Sequence, residues 1–396
     1  MLNVEQLRAD TPGTTDVVHL NNAGASLMPN VVIDTVMAHL QSETRIGGYE
    51  AAAAAEARLE DVYASIARLI GAMPDEIAVV ENATRAWDMV FYSLPLKLGD
   101  IVLTSTTEYA GNYIPYLQLK RRLGIEIVVV ENDPGGQICM EDLRRKLQHP
   151  RAKLVTLPVI GTNGGPVQPV EAIGNEARQA GAWFLLDACQ GIGQLPLDVQ
   201  KIGCHALTAT SRKYLRGPRG MGFLYVECNL CSQLEPAFLD LHAAHLHGPD
   251  SFEIRNDARR FENWECNIAA KLGMGAAVEY ALSMGMDAIW TRIQMLAHAL
   301  RAQLRDVDGV RLQDVGTIQS GIVTFTCDGI DPDDIKRKLA SLPDRINVSC
   351  STDTSTMLDM RARGLKSVVR ASVHAYNVQE EIDALVYAMN EIALRR

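Results

Sequence analysis

The chain has 396 residues, of which 47% are apolar, 22% charged and 6% aromatic, so it can bury a large core and is not mainly disordered. Its 38 Lys and Arg against 48 Asp and Glu give a formal net charge of -10, which argues against nucleic acid as a partner. Neither a signal peptide nor an apolar stretch of about 18 residues stands out, so we expect a cytoplasmic protein that does not enter a membrane.

Short apolar runs alternate with amphipathic helical patterns over the first two thirds of the chain. This alternation predicts an α/β fold with a large, mostly parallel sheet. Because the apolar runs are rich in Leu and β-branched residues, we expect helices on both faces of the sheet. The predicted helices lie at 31–43, 51–69, 140–148 and 170–180, and the predicted strands at 101–105, 125–131, 153–160, 182–187, 206–210 and 221–226.

The pattern changes after about residue 266. Two long helical patterns are followed by short alternating runs and a last helix, which predicts a smaller α+β domain. These segments lie at 268–284, 287–307, 321–326, 368–373 and 378–394. We therefore predict a large cofactor-binding domain over residues 20–265 and a small domain formed by residues 1–19 and 266–396.

The eight cysteines are scattered, as is usual for reduced thiols in a chain of this length. One cluster has residue types that bind zinc, because Cys228 and Cys231 are followed by His242, His245 and His247. The alternative is that the two cysteines simply follow a strand and that the histidines belong to loops or helices. We favour this alternative and predict no metal site.

Polar residues that suit cofactor chemistry follow the predicted strands. One strand ends in Asp187, at the sheet edge where ligands of open α/β sheets bind. Lys213 lies between a strand and a basic, Gly- and Pro-rich loop, and a desolvated lysine near other cations can form Schiff bases. Asn82-Ala83-Thr84 precedes a helical pattern, and a capped helix start offers N–H groups to a phosphate. Each feature alone also has an ordinary structural explanation, as a turn or a helix cap.

In combination, the motifs resemble the pyridoxal-phosphate enzymes of fold type I, and among these the class V aminotransferase and cysteine desulfurase family. The resemblance begins at His19-Leu20-Asn21-Asn22-Ala23-Gly24 and extends to the final helix. The family's order and spacing are kept by four motifs: Asn82-Ala83-Thr84, Asp187-Ala188-Cys189-Gln190, Ser211-Arg212-Lys213 and Val369-Arg370-Ala371-Ser372.

The resemblance implies pyridoxal 5′-phosphate as the cofactor and assigns catalytic roles. Lys213 would be the Schiff-base lysine and would move the proton at the substrate Cα. Asp187 would keep the pyridine nitrogen protonated, which makes the cofactor an electron sink. Gln190 would bond the phenolic oxygen, and Arg370 would bind the α-carboxylate of an amino-acid substrate.

The remaining assignments concern the surroundings of the cofactor and the substrate. Thr162 falls where the family usually has an asparagine near the ring, and Asn22 is assigned to the substrate side. Arg212 can bind phosphate oxygens through two parallel hydrogen bonds. The full set expected at the phosphate is Asn82, Ala83, Thr84, Thr210 and Arg212.

Two departures from the family pattern concern the ring and the phosphate. Tyr109 stands where desulfurases have a histidine stacked on the ring; it can stack, but it cannot serve as an imidazole acid or base. Trp264 and Glu265 replace a Gly-Thr pair that reaches the phosphate of the neighbouring subunit, so this contact is not carried over. The resemblance still implies a homodimer.

A third departure concerns the nucleophilic cysteine that desulfurases carry upstream of the carboxylate-binding arginine. Cys350 lies in that neighbourhood, but the register counted from Ile346 puts Thr354 nearer to the nucleophile's place. We interpret Cys350 as a structural or incidental thiol. Persulfide chemistry is therefore disfavoured.

Two further stretches resemble a particular branch of the family, which holds isopenicillin-N-epimerase-like proteins and hercynylcysteine sulfoxide lyases. They are RIGGYEAA at 45–52 and NATRAW at 82–87. We therefore favour a C–S β-lyase that acts on an S-substituted cysteine and yields pyruvate and ammonia. The alternatives are transamination, epimerisation, decarboxylation with oxidative deamination and, in another class, a non-catalytic protein that keeps the fold.

Overall fold

The structure is a computed structural model, and it describes residues 2–394. Its strands, in chain order, are β1 (Ile77–Val80), β2 (Ile101–Ser105), β3 (Glu126–Val130), β4 (Ala152–Pro158), β5 (Trp183–Asp187), β6 (Ala206–Thr210), β7 (Gly222–Val226), β8 (Ala244–Gly248), β9 (Ser251–Ile254), β10 (Val310–Leu312), β11 (Ile322–Cys327), β12 (Ser349–Thr352) and β13 (Ser367–Ser372).

Helices surround these strands. In chain order they are α1 (Val4–Ala9), α2 (Asn30–Ile46), α3 (Gly48–Ala54), α4 (Glu56–Ile70), α5 (Ala83–Phe91), α6 (Ala110–Leu123), α7 (Met140–Leu147), α8 (Val170–Gln179), α9 (Val199–Ile202), α10 (Cys228–Cys231), α11 (Ile268–Met284), α12 (Met286–Arg305), α13 (Pro332–Ala340), α14 (Met357–Ala362) and α15 (Gln379–Leu394).

The main sheet has seven strands in the order β1-β7-β6-β5-β4-β2-β3. Strand β7 is antiparallel to both of its neighbours, and the pairs among β2 to β6 are parallel. This confirms the predicted α/β class with a large, mostly parallel sheet. It also brings the carboxyl ends of β4, β5 and β6 side by side at one edge.

Both faces of the main sheet are covered, as its apolar strands predict. Along β1, Ile77 and Val79 face one apolar core, whereas Ala78 and Val80 face a second core. This alternation follows from the two-residue period of a strand. The second core also contains the apolar side of α5, including Trp87.

Several elements differ from the sequence-based prediction. The pattern at 51–69 contains a break at Ala55, which separates α3 from α4. Helix α6 was not predicted, and it contains Pro115. The short strand β1 and the exposed β8–β9 hairpin were also missed, because four or five residues carry little periodic signal.

A second sheet, in the order β10-β11-β13-β12, is antiparallel throughout and packs against helices α12 and α13. Isolated bridges join His19 to Asn347 and Asn21 to Ser372, so the N-terminal segment contacts this sheet. This is the smaller α+β part that the sequence predicts. The exact domain limits, 20–265 against 1–19 with 266–396, stay a prediction.

No helix in residues 2–394 combines the length and the apolar character that a membrane crossing requires. No group of three or more His, Cys, Asp or Glu side chains in this range is arranged to hold a metal ion. The sequence between Cys228 and Cys231 forms the short helix α10, and His245 lies on β8.

Candidate functional site

A cleft opens at the carboxyl ends of β4, β5 and β6 and encloses a cavity of about 340 Å³. The three strands end at Pro158, Asp187 and Thr210, all of which line it. Every site residue predicted from the sequence, except Asn22, also lines the cleft. These residues are Asn82, Ala83, Thr84, Tyr109, Thr162, Asp187, Gln190, Thr210, Arg212, Lys213 and Arg370.

The Asp187 carboxylate is fixed by two N–H donors. Its Oδ1 accepts a hydrogen bond from the backbone N of Cys189 at 2.9 Å, and its Oδ2 accepts one from Asn112 Nδ2 at 3.0 Å. Accepting N–H bonds at both oxygens is the role of a carboxylate rather than of a carboxylic acid. The buried side chain can therefore present negative charge to a protonated ring nitrogen.

Lys213 follows β6 in a tight basic turn, and its side chain is buried in the cleft wall. Burial lowers the pKa of the Lys213 amine, and the nearby Arg212 and Arg370 cations lower it further. The Asp187 charge acts in the opposite direction. A lowered pKa favours the neutral amine, which is the nucleophilic and basic form that Schiff-base chemistry requires.

The start of helix α5 forms a cradle for an anion beside Thr210. Asn82 caps the helix, because its side chain accepts a hydrogen bond from the backbone N of Arg85 at 2.8 Å. Ala83 and Thr84 lie in the first turn, where helical bonding leaves N–H groups available. The N-terminal end of α5 therefore supplies donors at the cleft edge.

A glycine allows this cradle to approach the sheet closely. Gly222, the first residue of β7, pairs with Val80 of β1 and with Thr210 of β6. A Cβ atom at this position would lie 2.8 Å from the backbone N of Ala83 and 2.7 Å from the Ala209 carbonyl oxygen. Only glycine fits there without a shift of the backbone.

Arg212 and Arg370 place two guanidinium groups in the same cleft. Arg212 donates to the carbonyl oxygen of Gly24, and burial lowers its pKa. Burial also lowers the pKa of Arg370, to about 10, so the group remains a cation at neutral pH. The cleft is thus locally positive, although the whole chain carries a net charge of -10.

Thr162 connects Arg370 with Gln190. Arg370 Nη1 donates to Thr162 Oγ1 at 2.9 Å, and Gln190 Nε2 donates to the same hydroxyl at 3.1 Å. Arg370 Nε also donates to Ser349 Oγ at 3.0 Å, and these bonds leave Nη2 unengaged. Gln190 Oε1 is buried without a hydrogen-bond partner, so the cleft wall contains an orphaned acceptor.

Tyr109 stands at the N-terminal end of α6 with 42% of its surface exposed. Its ring lies over Gly111, where a Cβ atom would come within about 2.5 Å of the ring. Tyr109 lines the cleft, and its stacking on a planar ligand stays a prediction.

Asn22 is the predicted site residue that the structure does not bring to the cleft surface. It is fully buried, and its amide donates to the Ser372 carbonyl oxygen at 2.7 Å. Its carbonyl oxygen accepts a hydrogen bond from the hydroxyl of Tyr376. The neighbouring Ala23 and Gly24 line the cleft instead.

Sequence reasoning missed part of the cleft wall. Strand β12 and the turn after it contribute Cys350, Ser351, Thr352 and Ser355. The hydroxyl-rich stretch at 349–356 was a usable signal, but nothing in its pattern predicts a strand. Cys189 also lines the cleft, although no role was assigned to it.

Comparison with known proteins identifies the family. The model of the aminotransferase class-V family matches residues 18–385. A probable cysteine desulfurase from Methanothermobacter thermautotrophicus is 29% identical and is aligned over 99% of this chain and 98% of its own length. The apo structure of cysteine desulfurase from Thermococcus onnurineus NA1 has a TM-score of 0.93 at 25% identity, with 100% and 99% of the two chains covered.

A second similar structure contains the cofactor. In this variant of the protein C-DES, glycine is covalently linked to pyridoxal phosphate, and the fold matches with a TM-score of 0.86 at 21% identity. The match covers 97% of this chain and 99% of that chain. In a further structure, C-DES is named a cystine C–S lyase and is bound to its reaction product, cysteine persulfide.

The residues of the cleft fit pyridoxal phosphate. The α5 cradle and Arg212 suit its phosphate, Asp187 suits its ring nitrogen, and the orphaned amide oxygen of Gln190 can accept a hydrogen bond from a donor on a ligand. Fold and site together define a pyridoxal-phosphate-dependent enzyme of fold type I. The chain belongs to the aminotransferase class-V family.

Proposed function

We propose that the enzyme cleaves the Cβ–S bond of an S-substituted cysteine by β-elimination. Bound pyridoxal phosphate supplies the sink for the electron pair left at the substrate Cα. Arg370 binds the substrate carboxylate through its unengaged Nη2, and Lys213 removes the Cα proton. The sulfur then leaves from Cβ with its substituent and takes up a proton, and water hydrolyses the remaining three-carbon unit to pyruvate and ammonia.

The observation that carries this proposal is the convergence of Lys213, Asp187 and Arg370 on one cleft, and the thiols of the cleft bear on where the leaving sulfur goes. Burial, followed by the Asp333 and Asp331 charges, raises the pKa of Cys350. Burial and the Asp187 charge raise the pKa of Cys189. A thiol that attacks sulfur must be a thiolate, which requires a lowered pKa.

The segment above the cleft supports the same conclusion. Thr354, nearest to the nucleophile's place by sequence register, is exposed and shares a hydrogen bond of 2.7 Å with Thr352 Oγ1. A hydroxyl cannot accept sulfur as a persulfide. With a hydroxyl at that place, we expect the leaving sulfur to be released rather than transferred to residue 354.

Desulfuration of free cysteine is the second candidate. The similar proteins from Methanothermobacter thermautotrophicus and Thermococcus onnurineus carry the name cysteine desulfurase. Cys350 lines the cleft and is the thiol that would have to accept the sulfur. Transamination, epimerisation and decarboxylation with oxidative deamination share the cofactor, but no observation in the cleft favours them.

Product analysis distinguishes these reactions. The purified enzyme is incubated with a series of S-alkyl and S-aryl cysteines and, separately, with free cysteine. We expect pyruvate, ammonia and one equivalent of the corresponding thiol from a conjugate. Carbon dioxide with an aldehyde, a transaminated cofactor or inverted Cα would contradict the proposal.

Two variants complete the experiment. Cys350→Ser should keep pyruvate formation, because the thiol takes no part in the elimination. Lys213→Ala is the matched negative control, since it removes the base while the phosphate cradle remains. Loss of turnover in Cys350→Ser, with a trapped persulfide on the wild-type protein, would assign desulfuration instead.

We also propose that two copies of the chain form the active enzyme. Helix α2 packs against α11 and also carries exposed apolar side chains. Met37 and Leu40, three residues apart and therefore on one face of the helix, are 50% and 42% exposed. Exposed apolar side chains that adjoin on one helix face are typical of a protein interface, and a second copy satisfies the family's homodimeric arrangement.

A further inference from the structure

A second buried carboxyl group lies behind Asp187 and outside the cleft. Glu108 is 3% exposed and lies two residues before α6. Asn112 and Tyr116 are four residues apart on one face of α6, and both donate to Glu108 from that face. That face is directed at the end of β5, where Asp187 lies.

Asn112 connects the two carboxyl groups. Its Nδ2 atom donates to Glu108 Oε1 at 3.0 Å and to Asp187 Oδ2 at 3.0 Å. The side chain is 4% exposed, so water does not replace these bonds readily. One amide nitrogen has two hydrogens, and here each hydrogen serves one carboxyl group.

The two oxygens of Glu108 have different surroundings. Oε1 accepts from Asn112 and from the backbone N of Tyr109 at 2.8 Å, and both partners can only donate. Oε2 faces the hydroxyls of Thr104 and Tyr116, each at 2.8 Å, and a hydroxyl can donate or accept. A proton on Glu108 therefore belongs on Oε2, and Oε1 remains an acceptor in either protonation state.

Titration of Glu108 does not alter this arrangement. Burial raises the pKa of Glu108 to about 7, the Asp187 charge raises it as well, and the hydrogen bonds from Thr104 and Tyr116 lower it. Both protonation states are thus populated near neutral pH. Because Oε1 accepts in both states, the amide of Asn112 keeps its amino group toward Asp187.

We propose that Glu108 is a positioning residue that acts through Asn112: it orients the amide that holds Asp187 as a hydrogen-bond acceptor for the ring nitrogen of the cofactor. This inference depends on the cofactor alone and holds for any of the candidate reactions. Without Glu108, the Asn112 amide can rotate and present its oxygen to Asp187. Two acceptors would then face each other, and the carboxylate would turn away from the ring.

The test follows the protonation of the cofactor nitrogen itself. The holoenzyme is prepared with ¹⁵N-labelled pyridoxal phosphate, and the ¹⁵N chemical shift is measured against pH. Glu108→Gln keeps an acceptor oxygen toward Asn112, so it should reproduce the wild-type midpoint. Glu108→Leu and Asn112→Leu should move the midpoint to lower pH by equal amounts and weaken cofactor binding by about tenfold.

A double variant and a matched control make the result specific. Glu108→Leu combined with Asn112→Leu should shift the midpoint no further than either change alone, because both break one connection. Asp142→Leu removes another buried carboxylate, on α7, and should lower the melting temperature without moving the ¹⁵N midpoint. Should Glu108→Leu fail to fold, Asn112→Ala tests the same connection.

Three outcomes would overturn the proposal. The first is a wild-type ¹⁵N midpoint in the folded leucine variants. The second is an equal shift in Glu108→Gln and Glu108→Leu, which would assign the effect to charge rather than to orientation. The third is an additive shift in the double variant, which would show that Glu108 does not act through Asn112.

Discussion

At the scale of one residue, Lys213 supplies a reactive amine and also lowers the free energy of unfolding. Its buried amine has a lowered pKa in the folded protein, and the unfolded chain restores the ordinary value. Between these two pKa values the unfolded state binds more protons, so the stability of the cofactor-free protein rises with pH. At neutral pH the buried amine is therefore a destabilising group that the reaction requires.

Replacing this lysine by an apolar residue of similar length separates the two effects. We expect Lys213→Met to lose covalent cofactor attachment, measured by borohydride reduction, and to reduce turnover by at least about a hundredfold. The cofactor-free variant should melt at a higher temperature at neutral pH, with less pH dependence between neutral and alkaline pH. Calorimetry over this range measures both.

The control for this prediction is a lysine on the surface. Lys201 has a side chain that is 72% exposed, and Lys201→Met should change neither attachment nor melting behaviour. A covalent adduct that persists in Lys213→Met would refute the assignment of the Schiff-base lysine. A lower melting temperature of the cofactor-free Lys213→Met protein would refute the stability argument.

At the scale of elements, the phosphate cradle depends on the distance between α5 and β7. Gly222→Ala should force the two backbones apart, because the new Cβ would lie 2.8 Å from the Ala83 nitrogen. We expect a loss of about 1–3 kcal/mol in the free energy of unfolding, together with weaker cofactor binding. Denaturant titration and equilibrium dialysis measure these two effects.

A second glycine gives the matched comparison. Gly48, the first residue of α3, has no atom within 4 Å of a built Cβ, so Gly48→Ala should keep stability and cofactor affinity. If Gly222→Ala binds the cofactor as tightly as wild type, the close approach is not what positions the phosphate donors.

The same elements show what the sequence can and cannot predict. Strand β6 was predicted at its observed limits, because its five buried residues and the flanking polar residues give a clear boundary. Strands β8 and β9 alternate apolar and polar residues over only five and four positions, with few apolar side chains, so the pattern is too weak to predict their pairing. Helix α6 was hidden by Pro115, which ordinarily disfavours a helix interior.

Within the site, too, some features were predictable from the sequence and others were not. Residues within short motifs, such as Lys213 and Asp187, were predicted from local sequence and from the family resemblance. The hydrogen bond between Asn112 and Asp187 joins α6 to β5, and it depends on how the helix packs against the sheet. Local sequence does not specify that packing, so the connection to Glu108 required the structure.

At the scale of the whole molecule, the exposed pair Met37 and Leu40 on α2 tests whether two copies assemble. We expect a species with twice the mass of one chain in light scattering. Changing Met37 and Leu40 together to Glu should give a folded monomer, because buried like charges would face each other across the interface. Leu98→Glu, at a leucine that is 80% exposed, is the control and should remain dimeric. A monomeric wild-type protein with full activity would contradict the dimer, whereas a dimer that survives the double change would move the interface to another face.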